Sequence, residues 1–237
     1  MVPNSHPPIS GLQVLIFYGG TFDPVHDGHL AIARAARDTL DAAIRMMPAA
    51  DPPHRSPPGA TATQRAEMLD LAVVGERDLC VDRRELRREG RSYSIDTLLE
   101  LRAEHGADAP IALLVGADSF VGLPDWHRWR ELFDQAHFVV AERPGSPLDQ
   151  SLRPELAAAL ARRWRDSPAA LRDAPAGFVF RLHQPLQGES ATAIRQRIAA
   201  GLAWREMVPV AVAGYIERHG LYLNAEEHAG PPARPPL

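Results

Sequence analysis

Three observations predict an α/β fold with a mostly parallel sheet and helices on both faces. Short apolar runs alternate along the chain with longer stretches of helical period. Several runs are apolar throughout, as strands covered on both faces require. Glycine, proline and small polar residues mark the joins. The first run, residues 12–18, ends at Gly19-Gly20 and reads as a buried strand. Residues 30–40 follow as a helix, with Leu30, Ile32, Ala33, Ala36 and Leu40 apolar. Residues 42–47 form a second strand, stopped by Pro48, and residues 64–74 a helix clustering Met68, Leu69, Ala72 and Val73. Residues 79–81 make a short third strand. Residues 94–105 read as a helix capped by Ser94, with Ile95, Leu98, Leu99 and Arg102 on one side. Residues 111–115 make the best central strand after the first, and residues 136–141 and 178–182 add two more.

Between residues 144 and 177 the chain is rich in Ala, Arg and Pro. One helical stripe there, Leu156, Ala159, Leu160 and Arg163, reads as an excursion from the sheet. Two helices close the array. Residues 191–202 place Ile194, Ile198 and Leu202 on one stripe; residues 208–219 carry Pro209 in the first turn and Gly220 as a stop. The organisation expected is a flexible tail over 1–11, a single domain over 12–223, and a proline-rich tail over 224–237. The fold class is doubly wound and Rossmann-like.

Composition narrows the chemistry. The chain has 237 residues, enough for one sizeable core, and a net charge of −4 that gives no support for binding nucleic acid through bulk charge. No apolar stretch has the length of a membrane span. Cys80, the only cysteine, excludes an internal disulfide and points to the cytoplasm; its strand-like setting suggests a buried apolar role. All 26 basic residues are arginine. A chain without lysine has no Walker A lysine and no lysine to form a Schiff base. Cations that meet phosphate here are arginine, histidine, backbone dipoles or a metal.

The most informative stretch is Gly19-Gly20-Thr21-Phe22-Asp23-Pro24-Val25-His26-Asp27-Gly28-His29-Leu30. It lies where a strand hands over to a helix, the end of an α/β sheet at which ligands bind. The glycine turn leaves backbone N–H groups free, and a helix N-terminus adds partial positive charge; both favour phosphate. His26 and His29 project from one side once the first helical turn has begun. His105, His137, His183 and His219 show no metal-ligand spacing, and the run Arg83-Arg84-Glu85-Leu86-Arg87-Arg88-Glu89 mixes signs as a solvated face does.

This stretch resembles the signature of the nucleotidylyltransferase superfamily, with His26-Asp27-Gly28-His29 as its H-x-G-H core. Four later segments narrow the resemblance: Pro52-Pro53-His54-Arg55, Gly116-Ala117-Asp118-Ser119 with Leu123-Pro124-Asp125-Trp126, Glu142-Arg143-Pro144-Gly145, and Ser190-Ala191-Thr192-Ala193-Ile194-Arg195. In order and spacing they resemble the bacterial nicotinate-nucleotide adenylyltransferase family from about Val14 to Leu223. The resemblance implies transfer of AMP from ATP to nicotinate mononucleotide, giving deamido-NAD and pyrophosphate. It implies that Gly19, Gly20, Thr21 and Phe22 form a backbone cradle and that His26 and His29 contact the ATP phosphates. Ser190, Thr192 and Arg195 would converge on the β- and γ-phosphates. Trp126 would stack on the nicotinate ring, with Tyr93, Ser94 and Asp118 nearby and Arg55 and Arg143 at the mononucleotide phosphate. Mg²⁺ would bridge ATP oxygens, with no protein-held metal site.

The chain departs from the family pattern at Glu189, where an apolar residue is usual, and at Ala49 and Ala50, where polar residues often hold the mononucleotide. Arg55 stands where lysine is common. Two other readings compete. One keeps the chemistry and changes the acceptor, as in phosphopantetheine adenylyltransferases or cytidylyltransferases. The other is a non-catalytic nucleotide sensor, against which intact His26, His29 and Arg195 argue. A homo-oligomer stays open.

Overall fold

The computed structural model describes residues 13–50, 59–88, 92–142, 148, 152–183 and 190–223. In chain order the elements are β1 (Leu15–Gly20), α1 (Asp27–Leu40), β2 (Ile44–Pro48), α2 (Ala62–Val73), β3 (Leu79–Val81), α3 (Ser94–His105), β4 (Ile111–Gly116) and α4 (Ala117–Val121). They continue with α5 (Leu132–Gln135), β5 (His137–Glu142), α6 (Pro154–Leu160), β6 (Trp164–Arg165), β7 (Val179–His183), α7 (Ala191–Ala199) and α8 (Val210–Arg218). The strands join in one sheet of order β3-β2-β1-β4-β5-β7-β6, and every neighbouring pair is parallel.

Alternation along the strands builds two cores. Ile16 and Tyr18 of β1 enter one cluster with Leu30, Ala33, Met68, Leu69, Ile194 and Ile216, so α1, α2, α7 and α8 cover that face. Leu15 and Phe17 enter the other with Leu98, Leu101, Phe133 and Leu156, from α3, α5 and α6. Side chains of successive strand residues point to opposite faces, so a strand apolar at every position serves both layers. The chain runs outward from β1 through β2 to β3, then returns to place β4 on the other side of β1. A crevice opens at such a reversal, beyond the carboxyl ends of the two strands. Here those ends are Gly20 and Gly116.

Several expectations are corrected. Helix α1 begins at Asp27, a full turn's reach before Leu30, because His26 takes the N-cap position with extended backbone. Tyr93, not Ser94, caps α3, and Pro209 is the N-cap of α8 rather than a first-turn residue. Leu202 lies beyond α7 and is 58 % exposed. The segment after residue 152 supplies the edge strand β6 as well as α6. Cys80 is exposed on β3 rather than buried. The mixed-charge run is not wholly a solvated face: Arg84 and Glu85 are buried, Arg84 pairing with Asp82 and Glu104. His137 is a satisfied core histidine, its Nε2 2.8 Å from the carbonyl of Ala174 while Nδ1 accepts from the Phe178 N–H. The tails over 1–11 and 224–237 lie outside the described residues, as do Arg55, Arg143 and Glu189. Among the described residues no helix is long and apolar enough to cross a membrane.

Candidate active site

A cavity of about 370 Å³ occupies the crevice at the carboxyl ends of β1 and β4. Its floor includes Gly19, Gly20 and Thr21 from the end of β1 and Leu113, Val115 and Gly116 from β4. Tyr93 and Ser94 enter from the start of α3, Asp118 from the first turn of α4, and Trp126 from the segment after it. Four of the residues expected at the acceptor side, Tyr93, Ser94, Asp118 and Trp126, thus line one cavity together with the glycine turn expected at ATP. His127 and Glu85 line it too, and neither was singled out from the sequence. His127 stacks on Tyr93 with ring centroids 4.6 Å apart, which props the aromatic wall. Burial raises the Glu85 carboxyl above its usual range; its Oε1 accepts from the Thr97 hydroxyl at 2.8 Å.

The two histidines sit where β1 turns into α1. Their rings lie 3.7 Å apart, and the His29 ring meets Phe22 edge-on at 5.0 Å. The Nδ1 of His29 accepts from the backbone N–H of His26 at 3.3 Å. That bond places the proton of a neutral His29 on Nε2, leaving Nε2–H as a donor. His26 is 6 % exposed, its Nδ1 is buried without a hydrogen-bond partner among the described residues, and burial lowers its pKa from 6.5 to about 4. His26 is therefore neutral at pH 7. The pair offers polar N–H groups and the start of a helix rather than two full cations.

Depressed titration of His26 gives a stability test. The folded pKa lies below the unfolded one, so between pH 6.5 and 4 the unfolded chain takes up a proton that the folded chain refuses. Stability falls as pH falls through that window, by up to about 3 kcal/mol from this residue. Melting wild type and His26→Asn, which keeps an N-cap residue, from pH 7 to 4.5 checks it. The wild type should lose several degrees more than the variant; parallel curves would refute the assignment.

The glycines of the turn have different reasons. A Cβ on Gly20 would lie 2.8 Å from Cζ of Phe22, and Phe22 is buried with φ +52°. A left-handed phenylalanine locked in a core has no room to yield. A Cβ on Gly19 would find only Met47 Cε, at 4.0 Å. Gly20→Ala is expected to cost about 1–3 kcal/mol of stability by overpacking. Gly19→Ala should melt within about 2 °C of wild type and lose rate only if a phosphate must approach that backbone. Thermal melts beside activity assays separate the two.

Helix α7 supplies the third group. Ser190 is its N-cap, its hydroxyl oxygen accepting from the Ala193 N–H at 3.1 Å. Thr192 Oγ1 lies 3.4 Å from Arg195 Nη2, and Arg195 Nη1 donates to the Asp23 carbonyl at 2.6 Å. Arg195 thereby reaches the turn that carries His26 and His29. Two further residues hold this turn and were not singled out from the sequence. Asp23 is 5 % exposed and accepts from the N–H groups of Gly59 and Ala60 at 2.8 and 3.1 Å, and from the Tyr222 hydroxyl at 2.7 Å. Arg65, wholly buried, donates to the carbonyls of Thr21 at 2.6 Å, Ala50 at 2.9 Å and Ala60 at 3.3 Å. Ala50, a departure from the family pattern, is thus engaged through its backbone.

The arrangement is an aromatic-walled cavity beside a glycine turn, and that turn runs on to the two imidazoles and is bonded by the Arg195 guanidinium at Asp23. Comparison with known proteins bears on it. The model of the cytidylyltransferase-like family matches residues 17–197. The chain is 59 % identical over 216 residues to a probable nicotinate-nucleotide adenylyltransferase of Stenotrophomonas maltophilia, covering 89 % of this chain and 97 % of the relative. It is 48 % identical over 211 residues to a probable nicotinate-nucleotide adenylyltransferase of Xylella fastidiosa, covering 87 % and 95 %. Its fold is similar to that of the Plasmodium falciparum nicotinic acid mononucleotide adenylyltransferase complexed with NaAD. There the TM-score is 0.63 at 15 % identity, over 89 % of this chain and 97 % of that one.

Proposed function

The chain belongs to the nicotinate-nucleotide adenylyltransferase family, and from that premise we propose that it transfers the adenylyl group of ATP to nicotinate mononucleotide, giving deamido-NAD and pyrophosphate for NAD biosynthesis. The observation that carries the reading is the cavity at the β1–β4 crevice, walled by Tyr93 and Trp126 and floored by Gly19 and Gly20. A flat aromatic acid fits between such walls, and its phosphate then lies toward the glycine turn.

In the reaction an oxygen of the mononucleotide phosphate attacks the α-phosphorus of ATP. The new P–O bond forms as the bond to the β-phosphate bridge breaks, and pyrophosphate leaves with the electron pair. The nucleophile is already ionised at neutral pH, so no general base is needed. Catalysis consists of holding two anions in line and stabilising charge on the transferring and leaving groups. The Nε2–H of His29 and the guanidinium of Arg195 perform the second task. The Gly19–Phe22 backbone holds the nucleotide between them, with His26 packed behind His29. Thr192 and the first N–H groups of α7 add donors for the β- and γ-phosphates.

Among the described residues no group of three or more His, Cys, Asp or Glu could hold a metal ion. The donors around the turn are N–H groups, and the Asp23 carboxylate is already engaged by Gly59, Ala60 and Tyr222. This set fits Mg²⁺ carried on the triphosphate oxygens, where it would neutralise charge on ATP. We assign the mononucleotide phosphate to Arg55 and Arg143 on the resemblance alone. The single cysteine fits a cytoplasmic enzyme.

Pyrophosphate release tests the reading. Wild type is assayed with ATP and, in turn, nicotinate mononucleotide, nicotinamide mononucleotide and phosphopantetheine. Preference for the nicotinate acceptor is expected; equal kcat/KM across acceptors, or no release, would overturn it. Trp126→Ala supplies a second check. Loss of a stacking partner worth about 1–3 kcal/mol should raise KM for the mononucleotide roughly fivefold or more and leave KM for ATP within about twofold. A rise on the ATP side would move Trp126 to the adenosine half or the core.

A further inference from the structure

Asp23 has no part in the chemistry above, yet its side chain is heavily bonded beside the glycine turn. Its carboxylate takes three donors from distant parts of the chain: the N–H groups of Gly59 and Ala60 and the hydroxyl of Tyr222. Its carbonyl takes a fourth, from Arg195 Nη1 at 2.6 Å, while the same Nη1 stands 3.7 Å from Asp23 Oδ2. The pieces interlock tightly. A Cβ on Gly59 would lie 2.8 Å from Tyr222 Cδ1 and 3.6 Å from Arg195 Cδ, so the Gly59 turn, the Tyr222 ring and the Arg195 stem are mutually packed. Tyr222 holds its position with φ +66°, a backbone conformation that a bulky residue adopts only when its surroundings impose it.

We propose that Asp23 and Tyr222 are positioning residues that fix the Arg195 guanidinium for the departing pyrophosphate; this rests on the adenylyl-transfer reading above. An arginine side chain has several rotatable bonds and loses considerable freedom when it is held in one orientation. Here Nη1 is committed to Asp23, which aims the rest of the fork before substrate arrives. Burial and the neighbouring Asp23 carboxylate raise the Tyr222 pKa, so its hydroxyl stays a donor across the working range of pH. With the Tyr222 O–H turned toward Oδ1 and two N–H groups on the same carboxylate, Asp23 has no freedom to rotate away. Preorganised donors of this kind spend no reorganisation when charge develops.

The test uses the full chain, steady-state pyrophosphate release and thermal melts. Tyr222→Phe keeps the ring against Gly59 and removes only the hydroxyl. It should lower kcat about five- to tenfold and leave KM for nicotinate mononucleotide within about twofold. Asp23→Asn places an amide where three donors converge and should lower kcat by about 10²-fold, the scale of a 1 Å misplacement of a catalytic group. Arg195→Lys lacks the fork, so Tyr222→Phe added to it should cost less than about twofold, because residues that act as a unit are not additive. An equal loss in both backgrounds would show that Tyr222 acts independently of Arg195 and would overturn the proposal. Wild-type kcat in Tyr222→Phe would overturn it as well. So would a lowered Tm with KM for both substrates rising together, the mark of a merely structural clasp. If wild type itself releases no pyrophosphate, the functional reading fails instead, before any variant is compared.

Discussion

His29→Ala lowers kcat for pyrophosphate release by about 10²–10³-fold while leaving the fold nearly as stable as wild type, the loss typical of removing one donor from a developing negative charge. The ring of His29 is only partly buried, beside His26 and Phe22 at the start of α1. Its hydrogen bond from the His26 N–H is long at 3.3 Å, so loss of that bond removes about 1 kcal/mol of stability. The Nε2–H strengthens its interaction as the electron pair of the breaking bond passes to pyrophosphate. Such a donor acts on the transition state and so appears in kcat. Rate and melting temperature measured on one sample decide the matter. A variant that melts far lower but turns over normally would make His29 a structural residue and remove the main support for the mechanism.

Arg65→Ala has the opposite signature, a loss of about 3–5 kcal/mol of stability, the scale of breaking a buried charged network. The guanidinium is wholly buried and joins the carbonyls of Thr21, Ala50 and Ala60. Removing it leaves three carbonyls without that donor and opens a cavity where a wholly buried side chain stood. Urea titration reads the change directly as a shift in midpoint at constant slope. Arg65→Met, which refills part of the volume, should remain well below wild type, because the lost donors matter as much as the lost volume. Recovery to wild-type stability in Arg65→Met would show that packing alone held the turn.

The sheet was legible because its strands are apolar at nearly every position, and a parallel strand covered on both faces has that composition. Ile111–Gly116 and Leu79–Val81 emerge almost to the residue. The start of α1 was less visible: Gly28 lies in the first turn and a histidine occupies the cap, both weak helix signals. The two-residue strand β6 has no periodicity to detect. At the site, the glycine turn, the histidines and Arg195 stand in contiguous motifs and could be read off directly. Arg65 had a signal that went unused. It falls on the stripe Arg65, Met68, Leu69, Ala72, and a cation at the buried phase of an amphipathic helix calls for a buried set of acceptors. Asp23 and Tyr222 lacked even that. Nothing in the local pattern links residues 199 apart; only the folded chain brings them together.

That separation has a consequence for biosynthesis. The motif turn leaves the ribosome 199 residues ahead of the tyrosine that fastens it. Strands β1 to β5 can pair as the chain lengthens, but the Asp23 carboxylate waits for its hydroxyl partner until residue 222 has emerged. A nascent or prematurely terminated chain could therefore hold a nearly complete sheet while its Arg195 fork stays unfastened.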